Sequence, residues 1–249
     1  VELVKPFFII VLSTIITLDN IKQFTLKFFI TLFLTLLIAF FLIIQPDLGQ
    51  TILFGFTWMI LIFISGVNLI FLLSISLIGI ILLSYFIFYV PKFEYIKNRI
   101  LSFFNSDTGT HNFQSDKAID SISSGGFFGK GIGEGTLKNR VPEAHTDYII
   151  SVISEEFGVI VILLILILFL VFIFSIFKKV NIEKDHKIKL ILVGSASLIL
   201  IQAMIHIGVN IRLFPTTGMT LPFLSYGGSS ILSISILTGI ILNLTKRKI

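Results

Sequence analysis

The sequence predicts an all-α fold, a polytopic bundle of transmembrane helices that carries one long extracytoplasmic loop. Its 249 residues are 55% hydrophobic and only 13% charged, whereas soluble globular domains carry about 25% charged residues. The apolar residues are also grouped, because residues 69–90 and 157–177 contain no charged side chain. Each of these two runs is long enough to cross a hydrocarbon core of about 30 Å as a helix.

Five further apolar runs raise the predicted number of membrane spans to seven. They are residues 6–18, 28–44, 51–65, 190–211 and 230–244. The short loops place ten basic residues on one face, namely Lys22, Lys27, Lys178, Lys179, Lys184, Lys187, Lys189, Lys246, Arg247 and Lys248, against only Lys5 and Arg212 on the other. By the positive-inside rule, we expect the C-terminus in the cytoplasm and the loop of residues 91–146 outside it.

The charge balance and the lack of cysteine narrow the possible function classes. The net charge of +5 is explained mostly by membrane topology, so a nucleic-acid partner has little support. Because the sequence has no cysteine, it offers neither a disulfide framework nor a thiolate metal site. The chain begins at Val1 without a signal-peptide pattern. We therefore expect residues 1–249 to be one membrane domain that is incomplete at its N-terminus, with an odd number of spans before residue 1.

The loop of residues 91–146 is longer than a passive connection requires, and loops of this size are usually functional or disordered. Residues 95–104 are amphipathic and suit the membrane interface, while residues 105–112 read as a flexible turn. The glycine-rich tract of residues 125–135 lacks the GxGxxG spacing of dinucleotide sites. It either meets a need for unusual φ angles and close packing or forms a backbone cradle for phosphate.

Acidic residues near the following span are the first candidates for chemistry. Asp147 ends the sequence Pro-Glu-Ala-His-Thr-Asp, where Thr146 or Asp147 would cap a helix or Asp147 would act as a general base at the membrane surface. Glu155 and Glu156 are expected about 12 Å deeper in the same helix. They would either form an ion pair, with Lys5 and Arg212 as candidate partners, or line a polar cavity that holds a substrate headgroup.

Other polar groups are candidates for the same cavity. His206 and Asn210 lie one helical turn apart and would face the cavity or serve packing and hydrogen bonding. Residues 212–230 contain two prolines and three glycines, and such irregular backbone is expected to line a cavity at membrane depth. With Lys130, Lys138 and Arg140 this segment offers cations and hydroxyls that suit a pyrophosphate, although a single surface lysine needs no such role.

No Ser-His-Asp set, HExxH motif or P-loop is recognisable in the sequence. A divalent-metal site can be drawn from Glu143, His145 and Asp147, but their spacing is generic. A metal held partly by substrate phosphates would leave even less trace in the sequence. The metal ligands, if the protein has any, are therefore left open.

Four segments of the chain are distinctive. They are Glu-Leu-Val-Lys-Pro at residues 2–6, Gln-Pro-Asp-Leu-Gly at 45–49, the stretch 124–158 with its Pro-Glu-Ala-His-Thr-Asp core, and residues 218–230. In these segments the chain resembles the SEDS family of peptidoglycan polymerases, whose main branches are FtsW and RodA. Gly-Met-Thr-Leu-Pro and Gly-Glu-Gly are more similar to the FtsW branch. Asp116 and Lys117 depart from the family pattern, which implies a more apolar loop there.

The resemblance implies a ten-span fold, of which this chain would be roughly the last seven, in the bacterial cytoplasmic membrane. It implies transfer of a growing glycan from undecaprenyl pyrophosphate to the GlcNAc 4-hydroxyl of lipid II, with inversion, during cell division. Asp147 matches the family's essential acid, which is proposed to deprotonate that hydroxyl. The resemblance also implies a divalent cation, Mg²⁺ or Mn²⁺, and no nucleotide.

The expected partners are lipid II, the undecaprenyl-linked glycan, a cognate class B penicillin-binding protein and divisome membrane proteins. The residues expected to bind substrate are Lys5, Lys138, Arg140, His145, Glu155, Arg212, Ser225 and Ser229. Two other functions remain open at this point. A lipid II flippase or other transporter would place its essential ionisable groups near the midplane, and a non-catalytic divisome scaffold would not need Asp147.

Overall fold

A computed structural model describes residues 1–18, 23–104, 110–136 and 143–246. These residues form helices and no strand, so the predicted all-α class is confirmed. The α-helices are α1 (Val4–Thr17), α2 (Phe24–Ile44), α3 (Leu48–Ile64), α4 (Leu69–Tyr89), α5 (Glu94–Phe104), α6 (Thr110–Gly125), α7 (Ile149–Ile182), α8 (His186–Asn210) and α9 (Gly228–Thr245). A short 3₁₀ turn, Pro91–Phe93, leads from α4 into α5.

Seven of these helices coincide with the seven predicted spans. Five of them, α2, α4, α7, α8 and α9, are long and apolar enough to cross a membrane. The other two, α1 and α3, are apolar but have only 14 and 17 residues. At about 1.5 Å per residue they are shorter than a hydrocarbon core of about 30 Å, so a complete crossing by α1 and α3 stays a prediction.

The chain divides into two compact units. The first contains Val1–Glu94, Ile173–Ile201 and Ser229–Ile249, and the second contains Tyr95–Phe172 and Gln202–Gly228. In the first unit, aromatic side chains join the helices, as where the rings of Phe8 and Phe54 meet edge to face at 4.8 Å. The second unit holds the long loop and the residues that resemble the family's site. The expectation of one membrane domain over residues 1–249 stays a prediction.

The long loop contains two helices, of which the sequence predicted one. The amphipathic segment of residues 95–104 lies in α5, whereas its place at a membrane interface stays a prediction. The expected turn at residues 105–112 is wrong for its last three residues, because α6 begins at Thr110. The Ser and Asp residues of α6 favour caps and turns over helix interiors. Burial of Ala118 and Ser121, both 0% exposed, stabilises the helix instead.

Helix α7 is interrupted by Gly158, whose φ of 81° and ψ of 175° are not helical. A helix break frees backbone groups that must find other partners when they are buried. The glycine-rich tract supplies them: the Lys130 amide donates to the carbonyl of Glu155 at 2.9 Å, and the Val159 amide donates to the carbonyl of Gly126 at 3.0 Å. The loop therefore completes the hydrogen bonding on both sides of the break.

Close approach of two backbones explains why this tract is rich in glycine. A Cβ atom at Gly129 would overlap the carbonyl of Glu156, and one at Gly158 would overlap the carbonyl of Phe127. Gly129 also has a φ of +77°, which L-residues with a side chain rarely adopt. The expectation of unusual φ angles and close packing is confirmed, whereas the phosphate cradle stays a prediction.

We predict that Gly158→Ala destabilises the protein by about 3 kcal/mol, because the substitution adds both backbone strain and an overlap with the loop. The measurement is the unfolding midpoint of the purified protein in detergent. Gly239→Ala in α9 is the matched control, since nothing lies within 4 Å of its added Cβ and alanine is the better helix former. Equal midpoints for the two variants would show that the break does not require glycine.

Candidate active site

A cavity of about 240 Å³ lies beside Asp147 in the second unit. Its walls come from α5, α6, the turn before α7, the end of α8 and the irregular segment that follows α8. The lining residues are Arg99, Gln114, Glu143, Asp147, Tyr148, Val209, Thr216, Thr217, Gly218 and Met219. The expectation that the segment of residues 212–230 lines a cavity is therefore confirmed for residues 216–219.

The backbone around Asp147 is fixed by hydrogen bonds from several directions. The amide of Asp147 donates to the carbonyl of Glu143 at 3.1 Å, and the carbonyl of Asp147 accepts from Nδ2 of Asn210 at 2.9 Å. The neighbouring carbonyl of Thr146 accepts from Oγ of Ser225 at 2.7 Å. These bonds fix the main chain of Asp147, whose half-buried side chain lines the cavity.

The segment after α8 approaches Asp147 closely. An added Cβ at Gly218, which has a φ of +66°, would stand 3.5 Å from Oδ2 of Asp147. Oγ of Ser225 accepts from the amide of Leu221 at 2.7 Å and also donates to the carbonyl of Thr146. Ser225 was expected to bind substrate, and such binding would compete with these two bonds. His145 uses its carbonyl, which accepts from the amide of Tyr226 at 2.9 Å, and its side chain is exposed.

One interpretation of the sequence had Thr146 capping α7. In the structure, the Thr146 hydroxyl bonds to Glu143 instead. Oγ1 of Thr146 donates to Glu143, at 3.1 Å from its carbonyl and 3.0 Å from its Oε2. Glu143 itself has a φ of +56°, a conformation that is uncommon for a residue with a Cβ. The turn of residues 143–148 is thus stabilised internally rather than by a hydroxyl cap on the helix.

Arg99 is a cavity residue that the sequence did not reveal. Its Nη1 donates to the carbonyl of Thr216 at 3.2 Å, and its guanidinium lies 4.3 Å from the centre of the Tyr95 ring. Among the described lining residues it is the only cation. The sequence instead suggested other cations for the substrate, and it placed residues 95–104 at the interface by their amphipathic pattern. Those cations were Lys5, Lys130, Lys138, Arg140 and Arg212. The sequence signal that could have indicated a cavity role for Arg99 was its place on the polar face of this amphipathic helix.

Tyr148 contributes a neutral phenol to the cavity. The side chain is 2% exposed, and this burial, reinforced by the nearby carboxylate of Asp147, raises the pKa of the phenol above its usual value. The phenol therefore stays protonated near neutral pH and is suited to donating a hydrogen bond rather than accepting a proton. Glu143 and Asp147 are the acidic side chains of the cavity that could accept one.

The described residues do not contain three His, Asp or Glu side chains placed to hold a metal ion. The metal site drawn from Glu143, His145 and Asp147 is therefore wrong as a protein-only site. Glu143 and Asp147 do line the cavity, while the imidazole of His145 is exposed. Two carboxylates could contribute oxygen ligands to a cation whose remaining ligands come from elsewhere.

Comparison with known proteins agrees with this geometry. A model of the FtsW/RodA/SpoVE family, described as cell cycle proteins, matches residues 1–249. The chain belongs to this family. Its membership, together with five helices able to cross a membrane, makes the chain a multi-pass membrane protein. The resemblance to the family found in the sequence is confirmed.

Individual relatives extend over most of the chain. It is 32% identical to a probable peptidoglycan glycosyltransferase FtsW of Caulobacter vibrioides, over 99% of this chain and 62% of that protein. It is 34% identical to a protein of the same name from Trichlorobacter lovleyi, over 91% of this chain and 60% of that protein. The chain thus spans about three fifths of the length of these relatives.

A solved structure shows the same fold. It comes from work on the structural coordination of polymerization and crosslinking by a peptidoglycan synthase complex. The similarity has a TM-score of 0.78 at 25% sequence identity, and it covers 98% of this chain and 68% of that chain.

The side chain of Glu155 is held by hydrogen bonds and an ion pair within the protein. Its carboxylate is fully buried and accepts from Nζ of Lys130 at 3.2 Å, Oγ of Ser121 at 3.1 Å and the amide of Thr136 at 2.9 Å. The ion-pair interpretation is therefore confirmed, but the expected partners Lys5 and Arg212 are wrong. These bonds, rather than a substrate headgroup, occupy the Glu155 carboxylate in this structure.

Among the described residues, Lys5 and Ser229 were expected to bind substrate and do not line the cavity. Lys5, in the first unit, is 0% exposed and pairs with Oε2 of Glu2 at 2.6 Å, while Oε1 of Glu2 accepts from Gln50 at 2.6 Å. Ser229 is exposed at the start of α9, also in the first unit. Lys138 and Arg140 lie outside the described residues.

His206 and Asn210 support the site instead of facing the cavity. Nδ1 of His206 lies 2.7 Å from the carbonyl of Met219, and since a carbonyl only accepts, Nδ1 carries the proton. Asn210 donates to the carbonyls of both Asp147 and His206. Both side chains are buried, and neither lines the cavity. The hydrogen-bonding interpretation of this pair is the correct one.

Arg212 lies close in sequence to cavity residues and has an unusual backbone conformation. Its φ is +57°, and non-glycine residues in such conformations cost about 1–3 kcal/mol. Its Nη1 pairs with Oδ1 of Asp116 at 2.6 Å, where the two side chains are 26% and 46% exposed. An ion pair with this exposure contributes only about 0.2–1 kcal/mol, so it does not offset the backbone strain.

We predict that Glu155→Ala destabilises the protein by about 2–3 kcal/mol, because it leaves a partly buried Lys130 ammonium and a buried Ser121 hydroxyl without their acceptor. Denaturant unfolding in detergent measures the change. Glu156→Ala is the matched control, since Glu156 is only half-buried, and we expect a loss below about 1 kcal/mol. Equal losses at the two positions would contradict a central role for Glu155.

Proposed function

We propose that the full-length protein polymerises lipid II into β-1,4-linked glycan strands during cell division and releases undecaprenyl pyrophosphate. The observation that carries this proposal is the cavity whose lining includes both Asp147, with its carboxylate, and Arg99, with its guanidinium. A base and a cation are what transfer of a sugar from a pyrophosphate requires. The two relatives named above as probable peptidoglycan glycosyltransferases support the same reaction.

In the proposed reaction, the 4-hydroxyl oxygen of the GlcNAc of lipid II attacks the anomeric carbon of the glycan donor. Its proton passes to the carboxylate of Asp147 as the new carbon–oxygen bond forms. The bond between the anomeric carbon and the pyrophosphate breaks, and the pyrophosphate leaves with the electron pair. A single displacement of this kind inverts the anomeric centre, which gives the β link.

Arg99 is suited to stabilising the negative charge that develops on the leaving pyrophosphate. Its bond to the carbonyl of Thr216 and its contact with Tyr95 hold the guanidinium in place before the reaction. A cation that is already oriented needs little reorganisation when charge appears, and this is the main source of electrostatic catalysis. The neutral phenol of Tyr148 adds a possible hydrogen-bond donor on the same wall.

A divalent cation, Mg²⁺ or Mn²⁺, remains part of the proposal. Glu143 and Asp147 could offer it carboxylate oxygens, and the rest of its ligands would come from pyrophosphate oxygens and water. When bound, such an ion would add positive charge near the leaving group. No nucleotide is expected. Loss of polymer after chelation, with recovery on adding Mg²⁺ or Mn²⁺, would support this part of the proposal.

The proposed location is the bacterial cytoplasmic membrane, with the loop of residues 91–146 outside the cytoplasm and the C-terminus within it. The ten basic residues on the opposite short loops support this orientation. We also propose a cognate class B penicillin-binding protein and divisome membrane proteins as partners. The similarity to a chain from a peptidoglycan synthase complex supports an assembly of this kind.

We predict that Asp147→Asn in the full-length protein, purified with its cognate class B penicillin-binding protein, abolishes glycan formation from lipid II. Asparagine keeps the shape of the side chain but cannot accept the proton. Expression and partner binding should persist, which separates loss of chemistry from loss of folding. Normal polymer from the variant would contradict the catalytic role, and no polymer from the unmutated complex would favour a transporter or a scaffold.

We predict that Arg99→Ala lowers the rate of polymerisation about 100-fold, because it removes a preoriented positive charge from the cavity. Arg99→Lys keeps the charge but not the planar fork of donors, so it should recover only part of the rate. Single-turnover measurements with saturating lipid II separate this effect from weaker binding. Equal rates for Arg99→Ala and the unmutated protein would remove Arg99 from the mechanism.

A further inference from the structure

The ion pair of Arg212 and Asp116 joins two segments that form walls of the cavity. Asp116 lies in α6 two residues after Gln114, and Arg212 comes four residues before Thr216; both Gln114 and Thr216 line the cavity. The pair therefore links two elements that each contribute a wall residue to the cavity, while Arg212 and Asp116 are not themselves among the lining residues. Its partly exposed side chains leave the guanidinium accessible to an anion that enters from solvent.

Stability does not account for an arginine at position 212. A glycine would adopt a φ of +57° without strain, whereas the exposed ion pair stabilises the protein by less than the strain costs. Strained residues persist most often at binding and catalytic sites.

We propose that Arg212 is a second anion-binding residue, outside the cavity wall, and that Asp116 is its exchangeable counter-ion. The ligand is a pyrophosphate, which carries more negative charge than the carboxylate it displaces and accepts paired hydrogen bonds from a guanidinium. Asp116 holds Arg212 in place until the pyrophosphate replaces it. The identification of this ligand with the headgroup of a polyprenyl substrate rests on the proposed function.

The exchange is tested by binding of farnesyl pyrophosphate to the full-length protein in detergent, measured by calorimetry. Asp116→Asn removes the competing carboxylate, so the dissociation constant should fall about two- to fivefold. Arg212→Gly should raise the dissociation constant about tenfold. Asp120→Asn is the matched control, because it removes an equal charge from α6 and breaks the pair with Lys117 while leaving Arg212 and Asp116 intact.

The thermal stability of the same variants distinguishes a binding role from a structural one. Arg212→Gly relieves the backbone strain, so its unfolding midpoint should rise by about 2 °C even though its affinity falls. Arg212→Asn, which also tolerates a positive φ, should behave in the same way. A lower midpoint with unchanged affinity in both variants would overturn the proposal, since Arg212 would then serve only the fold.

A double variant gives the sharpest outcome. If Asp116 acts through Arg212, Asp116→Asn should no longer tighten binding once Arg212→Gly is present. Tightening that persists in the double variant would overturn the exchange. Inorganic pyrophosphate, titrated in parallel, shows whether the site takes free pyrophosphate as well as the lipid-linked form. Because these measurements do not require polymerisation, loss of the Arg212 effect and failure of the proposed function give different results.

Discussion

The buried carboxylate of Glu155 is the interaction on which the second unit depends. It accepts from Ser121 in α6, from Lys130 in the glycine-rich tract and from the amide of Thr136. Because Glu155 itself belongs to α7, one side chain ties three parts of the loop to a helix. The same tract satisfies the backbone freed by the break at Gly158. A charge so fully buried is tolerated when it is both paired and hydrogen-bonded, as Glu155 is.

Most of the helical architecture could be predicted because apolar runs in a membrane protein carry a strong and local signal. Each of the seven predicted spans overlaps a helix, and the errors fall at helix ends, in the loop and at the break inside α7. Helix α6 was missed because its residues offer little apolar periodicity, so its formation depends on burial against other segments. The break at Gly158 was missed for a similar reason, since a lone glycine in an apolar run does not reveal which backbone approaches it.

The site could be predicted where a short motif carries the information and not where distant segments meet. Asp147 was found from six consecutive residues. The roles of Asn210 and Ser225 arise from hydrogen bonds that span 63 and 79 residues of sequence, which no spacing rule encodes. Arg99 was not found as a cavity residue because an amphipathic helix at a membrane surface and one that walls a cavity have the same pattern.

The contact between His145 and Tyr226 involves only main-chain atoms, and the imidazole of His145 is exposed. The fold therefore requires a carbonyl at this position but sets almost no requirement on the side chain. Most residues near a site serve both architecture and chemistry, and their evolutionary retention reports a mixture of the two. At His145 these pressures are separated. If related sequences carry other residues at position 145, the imidazole is dispensable. If histidine is retained in diverged sequences, the reason is binding or catalysis and not the fold.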